Sequence, residues 1–158
     1  MKIGIVCYPT YGGSGIVATE LGMDLAGRGH EVHFISTSLP ARLDITLSNV
    51  FFHKVTVETY PLFHQYQPYS LALSTIIVNI AQSQGLDLLH VHYAIPHAYA
   101  AYFAKQMLKE KGINLPVITT LHGTDITLVG NHPAYKPAVE FSINHSDKVT
   151  SVSASLKK

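Results

Sequence analysis

Charged residues are scarce in this chain of 158 residues. Asp, Glu, Lys and Arg together make up 13% of the sequence, about half the share that is usual in globular domains. The hydrophobic content of 47% excludes an intrinsically disordered chain, and the net charge of +1 gives no electrostatic basis for binding nucleic acid or an anionic membrane. The composition therefore predicts one globular domain with a large apolar core.

Cysteine and long hydrophobic runs are also nearly absent. Cys7 is the single thiol, so no disulfide can form within the chain, and its position in a predicted strand favours a small buried side chain. The uncharged stretch 59–86 is interrupted by prolines and polar residues, and its best apolar run, 71–81, is too short to span a bilayer. Residues 1–7 lack a signal-peptide pattern, which favours a cytoplasmic protein.

Strand-length apolar runs alternate with helix-length segments. The predicted strands are residues 2–7, 31–36, 54–58, 86–91, 117–121 and 148–152, and the predicted helices are 14–29, 69–84, 96–111 and 134–145. Several strands are apolar on consecutive residues, which suits a sheet that is covered on both faces. The alternation predicts an α/β fold with a doubly wound, mainly parallel sheet.

Two segments break this alternation. Residues 37–66 contain Pro40, Asn49 and Pro61, which predicts an irregular excursion or a small hairpin beside the main sheet. At the other end, Ser153 resembles a helix N-cap with only five residues after it. We therefore expect the chain to be a fragment of a longer protein.

A glycine-rich loop follows the first predicted strand. Its spacing, Gly12-Gly13-Ser14-Gly15, matches neither the dinucleotide-binding G-x-G-x-x-G pattern nor the P-loop. The helix amides that follow it would favour an anionic group. The alternative, that glycine serves only the turn and helix packing, stays open.

Histidines follow the fourth predicted strand. Alternation places His90 and His92 on one face, and His97 or His122 could complete a three-nitrogen metal site. No carboxylate lies within the motif, so we do not expect a metal there.

A second polar motif, Thr120-Leu121-His122-Gly123-Thr124-Asp125, follows the fifth predicted strand. Asp125 is expected to orient His122 or to cap the next turn. A hydrolase triad would need Ser14 as its nucleophile, but the G-x-S-x-G elbow is missing.

These motifs together resemble those of glycosyltransferase family 4, and within it the malate-dependent transferases of bacillithiol biosynthesis. The segments that carry the resemblance are 3–9, 12–15, 18–22, 29–35, 90–97 and 119–127. The resemblance implies a GT-B enzyme with two facing Rossmann-like domains. Residues 1–158 would form the acceptor-binding domain, and a C-terminal domain, absent from this sequence, would bind the donor.

The resemblance also implies an activity. N-acetylglucosamine would pass from UDP-N-acetylglucosamine to L-malate with retention at the anomeric carbon, as the first step of bacillithiol biosynthesis. No metal or other cofactor would take part, and the fragment alone would be inactive. The partners would be the two small-molecule substrates and the C-terminal domain, without nucleic acid or a membrane span, and homo-oligomerisation stays open.

Site residues follow from the same resemblance. The acceptor would be held by Ser14, Tyr93 and Thr120, and the catalytic His122 would meet the transferred sugar. The donor would approach Gly12, Gly13 and Asp125.

The acceptor's identity is less strongly indicated than the reaction class. We expect a basic residue near 138–141 for a malate carboxylate, but this chain has Glu140, and Lys136 is the nearest cation. Two alternatives therefore stay open. One is a family 4 transferase with another acceptor, such as an inositol phosphate or a growing glycan, and the other is a non-catalytic module that binds a sugar or carboxylate.

Overall fold

Six parallel strands form one central sheet in the computed structural model, which describes residues 1–63 and 67–157. The strands are β1 Lys2–Val6, β2 Glu31–Ser36, β3 Val50–Lys54, β4 Leu88–His92, β5 Val117–Leu121 and β6 Lys148–Ser151. Their order across the sheet is β3-β2-β1-β4-β5-β6. The predicted α/β fold with a parallel sheet is therefore confirmed.

Helices lie in every connection between successive strands except the one from β2 to β3. The α-helices are α1 Ser14–Gly27, α2 Tyr69–Ile80, α3 Tyr99–Glu110 and α4 Lys136–Asn144. Single π-helical turns are formed by Ala81–Gly85, Ala94–Ala98 and Asp125–Val129, and 3-10 turns by Pro61–Phe63 and Ala154–Lys157. The third predicted helix began too early, because Ala94–Ala98 forms a separate turn before α3.

The sheet is buried on both faces, as its apolar strands require. On one face, α2 and α3 pack against Val6, Ile35 and Leu89. On the other face, α1 packs against Ile5 and Phe34. These side chains are completely buried, and their burial is the main stabilising contribution to the domain.

The third strand was predicted in the wrong place. The structure has it at Val50–Lys54 instead of 54–58, paired in parallel with β2. Of the two predicted alternatives for 37–66, the small hairpin is therefore wrong, whereas residues 37–49 are irregular. Asn49 explains the start of this strand, because its amide donates to the carbonyl oxygens of Ala26 and His30, both at 2.8 Å. The strand lies at the sheet edge, where the polar His53 is tolerated. Residues 64–66 of the predicted excursion lie outside the described residues.

Cys7 follows the last residue of β1 and is 1% exposed. Burial raises the pKa of its thiol to about 12. The thiol is therefore protonated at neutral pH, and the predicted role as a small buried side chain is confirmed.

If a partner domain faced the carboxyl ends of the strands, we would expect exposed apolar side chains to be concentrated at those ends and near the C-terminus. Tyr11 and Val152 fit this expectation, but Leu71, Phe103 and Met107 are also exposed on the outer surface of α2 and α3. Leu39, Ile45 and Leu47, in the connection between β2 and β3, are exposed as well, so the apolar surface is not confined to the expected regions. None of the helices in the described part of the chain has both the length and the apolarity needed to cross a bilayer.

Candidate functional site

A cleft of about 630 Å³ opens at the carboxyl ends of β1, β4 and β5. The strand order reverses between β1 and β4, which is where open α/β sheets bind their ligands. The described residues that line it are Tyr8, Thr10, Gly12, Gly13, Ser14, Val17, Tyr93, His122, Thr124 and Val152. None of them is Asp, Glu, Lys or Arg, so a ligand meets hydroxyls, backbone amides and the imidazole of His122.

The glycine loop brings the start of α1 to this cleft. Gly13 has a φ of 56°, a left-handed conformation that favours glycine. Gly15 lies where a Cβ would come within 2.7 Å of the carbonyl oxygens of both Tyr8 and Thr10. The loop therefore folds tightly over the first turn of α1. The amides at this helix start lack partners within the helix, so they form an electropositive end beside the cleft.

Ser14 is the first residue of α1 and lines the cleft, with its side chain largely buried. Because Gly12 and Gly13 also line the cleft, three of the predicted site residues lie together.

Tyr93 follows β4 with a φ of 90°, which is unusual for a residue with a side chain. Its ring stacks on His122, with centroids 5.8 Å apart and planes 11° apart, and the Tyr8 ring meets it edge-on at 5.4 Å. Partial burial, followed by the nearby Asp125 carboxylate, raises the pKa of Tyr93. The phenol is therefore neutral at pH 7 and can donate a hydrogen bond.

His122 follows β5 and reaches the same cleft. Its Nε2 lies 2.9 Å from Nδ1 of His92, whose ring stacks on His90 with centroids 4.6 Å apart. This contact confirms the predicted shared face of His90 and His92. Burial lowers the pKa of His122 below the usual value, although the Asp125 charge opposes the shift. At neutral pH the imidazole is therefore uncharged.

Asp125 does not line the cleft. Its side chain is fully buried, and its carboxylate accepts hydrogen bonds from the backbone amides of Ala94 (3.2 Å), His122 (3.1 Å) and Gly123 (2.9 Å). The bonded amides in its own segment precede Asp125, and the following turn, Asp125–Val129, has no side-chain cap among the described residues. Of the two predicted roles, the structure therefore shows the contact with His122, through its backbone amide, and not the capping of the next turn. A direct approach of the donor to this carboxylate does not fit the structure, because all of its surface is covered.

Thr120 also lies beneath the cleft rather than in its lining. Its hydroxyl is 2.7 Å from both His90 Nε2 and the hydroxyl of Thr150, and the residue is 7% exposed. The hydroxyl is therefore already engaged, and the structure does not place it with Ser14 and Tyr93. This differs from the expected contact with the acceptor.

The expected cation on α4 is likewise not at the cleft. Lys136 pairs with Glu140 at 3.7 Å on an exposed helix surface, and neither lines the cleft.

A model of glycosyltransferase family 4 matches residues 11–158. The chain belongs to glycosyltransferase family 4. Over 156 residues it is 55% identical to the N-acetyl-alpha-D-glucosaminyl L-malate synthase of Bacillus anthracis. The match covers 99% of this chain but 40% of that relative, so the chain spans less than half of its length.

Solved structures agree on the fold of this family 4 chain. A glycosyltransferase from Rickettsia africae superposes with a TM-score of 0.66 at 20% identity, covering 99% of this chain and 38% of that one. Sucrose-phosphate synthase from Thermosynechococcus elongatus gives 0.63 at 14% identity, covering 94% and 41%. MurG from Acinetobacter baumannii gives 0.58 at 11% identity, covering 95% and 40%. These likenesses confirm the expected GT-B-type Rossmann-like fold.

Tyr8, Thr10 and Thr124 also line the cleft of this family 4 domain, although none of them was predicted as a site residue. Tyr8 and Thr10 lie in the loop after β1, and Thr124 lies in the loop after β5. The rule that ligands bind at the carboxyl ends of parallel strands would have selected them.

Within residues 1–63 and 67–157, no group of three or more His, Cys, Asp or Glu side chains is placed to hold a metal ion. The metal-free reaction expected from the resemblance stays a prediction.

Proposed function

We propose that this chain is the acceptor-binding half of a retaining glycosyltransferase that transfers N-acetylglucosamine from UDP-N-acetylglucosamine to L-malate. The observation that carries this proposal is the 55% identity to the Bacillus anthracis enzyme over 99% of the chain. The remainder of such an enzyme would bind the UDP-sugar. We likewise propose the cytoplasmic location expected from the sequence.

The polarity of the cleft supports a small anionic acceptor. The described residues of the lining include no carboxylate that would repel malate, and the start of α1 favours negative charge. The Ser14 hydroxyl and the neutral Tyr93 phenol are donors of the kind that a carboxylate accepts. These groups would fix the malate and direct its hydroxyl towards the sugar.

The same helix start would assist departure of the leaving group. In the transfer, the malate oxygen forms a bond to the anomeric carbon as the bond from that carbon to the diphosphate oxygen breaks, and UDP and a proton are released. Negative charge therefore develops on the diphosphate. Backbone amides next to Gly12 and Gly13 would stabilise that charge without reorganising.

The test is an assay of the complete protein for UDP release from UDP-N-acetylglucosamine. We expect release only with L-malate, and formation of an α-linked product, in the presence or absence of EDTA. A panel with an inositol phosphate, glycan acceptors and D-malate separates this proposal from another family 4 activity. Malate binding without turnover under all these conditions would instead support a binding module.

A further inference from the structure

The two ring nitrogens of His92 have different surroundings. Nδ1 lies 2.9 Å from Nε2 of His122. Nε2 is buried and has no hydrogen-bond partner among the described residues. The side chain is fully buried at the end of β4, so its proton arrangement follows from the bonds available to it.

Both rings are neutral at physiological pH. Burial, followed by the neighbouring histidines, lowers the pKa of His92 to about 2, and burial lowers that of His122. Each neutral imidazole carries one N–H. The short contact therefore contains one proton, on either His92 Nδ1 or His122 Nε2.

The two arrangements differ in what they bury. If His122 donates from Nε2, then His92 must carry its proton on Nε2, where an N–H group would be buried without an acceptor. If His92 donates from Nδ1, the unpartnered Nε2 holds a lone pair instead. Orphaned buried N–H groups are rarer in proteins than under-used acceptors, so the second arrangement is favoured.

The neighbouring groups do not reverse this choice. Nδ1 of His97 lies 2.5 Å from the carbonyl oxygen of His92, so it must be the donor, and the Tyr69 hydroxyl then donates to His97 Nε2 at 3.2 Å. His90 bonds to Thr120, and the Asp125 carboxylate is occupied by backbone amides. His92 is thus the hydrogen-bond partner that the His122 ring has among the described residues.

We propose that His92 is a positioning residue that holds His122 as its Nδ1–H tautomer. His122 then presents a hydrogen-bond donor to the cleft. Because that nitrogen already carries a proton, it does not act as the general base for the acceptor hydroxyl. Its N–H instead donates to an oxygen of the bound substrate. This last step rests on the proposed function, whereas the tautomer itself does not.

The tautomer can be measured directly in the protein labelled with ¹⁵N-histidine. Two-bond ¹H–¹⁵N correlation spectra near pH 7.5 distinguish a protonated ring nitrogen from an unprotonated one. We expect His122 and His92 each to have a protonated Nδ1 and an unprotonated Nε2. A protonated Nε2 on His122 in the wild-type protein would overturn the proposal without recourse to any variant.

Two substitutions of His92 test the cause. In His92→Asn, the amide nitrogen can occupy the position of Nδ1 and donate to His122, so the Nδ1–H tautomer of His122 is expected to persist. His92→Leu keeps the bulk but removes the donor, so Nε2–H should become populated. Circular dichroism and thermal unfolding would show whether each variant is folded. An unchanged His122 tautomer in folded His92→Leu contradicts the proposal.

Kinetics of the complete enzyme supply a second readout. We expect His92→Leu to lower kcat by roughly 100-fold, the order of magnitude for displacing an active-site group by about 1 Å, with a small change in the KM for malate and recovery in His92→Asn. If no transferase activity is found in the wild type, the proposed function fails, but the NMR result still decides the tautomer. A kcat unchanged in His92→Leu would overturn the positioning role.

Discussion

The Asp125 carboxylate accepts a hydrogen bond from the backbone amide of Ala94 at 3.2 Å, although the two residues are 31 positions apart. The same carboxylate bonds to the amides of His122 and Gly123. One buried side chain therefore joins the turn after β4 to the turn after β5. These turns carry Tyr93 and His122, so their relative position depends on Asp125.

Replacing Asp125 with Asn should destabilise the domain. An amide has one acceptor oxygen, and its NH₂ group would face a backbone N–H, so at least one buried donor loses its partner. The expected loss is about 1–3 kcal/mol of unfolding free energy, measured by urea denaturation. Asp24→Asn is the matched control, because Asp24 pairs with Arg28 on an exposed surface, where the loss should be below about 0.5 kcal/mol. Equal denaturation midpoints for the two variants would contradict this role.

Ser14→Ala and Tyr93→Phe should weaken malate binding. Each removes a hydroxyl from the cleft lining and keeps most of the side chain. A lost hydrogen bond to a carboxylate costs about 1.5–3 kcal/mol, so the KM for malate should rise roughly 10- to 100-fold.

Steady-state kinetics of the complete enzyme check this effect, with Tyr11→Phe as control. Tyr11 lies in the loop between β1 and Ser14, but it is 88% exposed and does not line the cleft. A malate dependence like that of the wild type in both test variants would remove these hydroxyls from the acceptor site.

Gly15→Ala should disturb the glycine loop. The added Cβ would meet two backbone carbonyl oxygens at 2.7 Å, which cannot move away as a flexible side chain would. We expect a stability loss of about 1–3 kcal/mol, as for overpacking elsewhere, and weaker malate binding.

Gly27→Ala is the control in the same helix. Among the described residues, no atom lies within 4 Å of a Cβ there, so alanine should stabilise the helix by about 0.5–1 kcal/mol. Thermal unfolding of both variants separates steric effects from helix propensity. Equal stability changes would show that close approach at Gly15 is unimportant.

Stability should fall as the pH is lowered from 7 to 5. Burial lowers the pKa values of His90 and His97 to about 4 in the folded protein, whereas unfolded histidine titrates near 6.5. Between these values the unfolded chain binds protons that the native chain does not. Stability is therefore complete above pH 6.5 and declines below it, by about 2 kcal/mol per histidine at pH 5.

Urea denaturation at several pH values tests this linkage. His97→Asn retains a donor towards the His92 carbonyl oxygen but cannot titrate, so the slope of stability against pH should become shallower by roughly one proton. A native stability that is constant between pH 7 and pH 5 would contradict the burial of neutral histidines.

Much of the fold could be predicted because its strands are apolar on consecutive residues. Residues 117–121 and 31–36 were placed with the observed bounds. The edge strand β3 was misplaced, because only Val50 of its five residues is buried and its pattern is correspondingly weak. What anchors it is the contact of Asn49 with residues 26 and 30, which no local pattern reveals.

The candidate site divides in the same way. Sequence alone brought the glycine loop, Tyr93 and His122 together, because parallel strands end at one edge of the sheet. Only the tertiary structure showed that Thr120 and Asp125 lie beneath that edge. Alternation along a strand determines which face a side chain is on. Whether that side chain is covered depends on the packed chain: Thr120 bonds to His90 and Thr150, each 30 positions away, and Asp125 bonds to Ala94, 31 positions away.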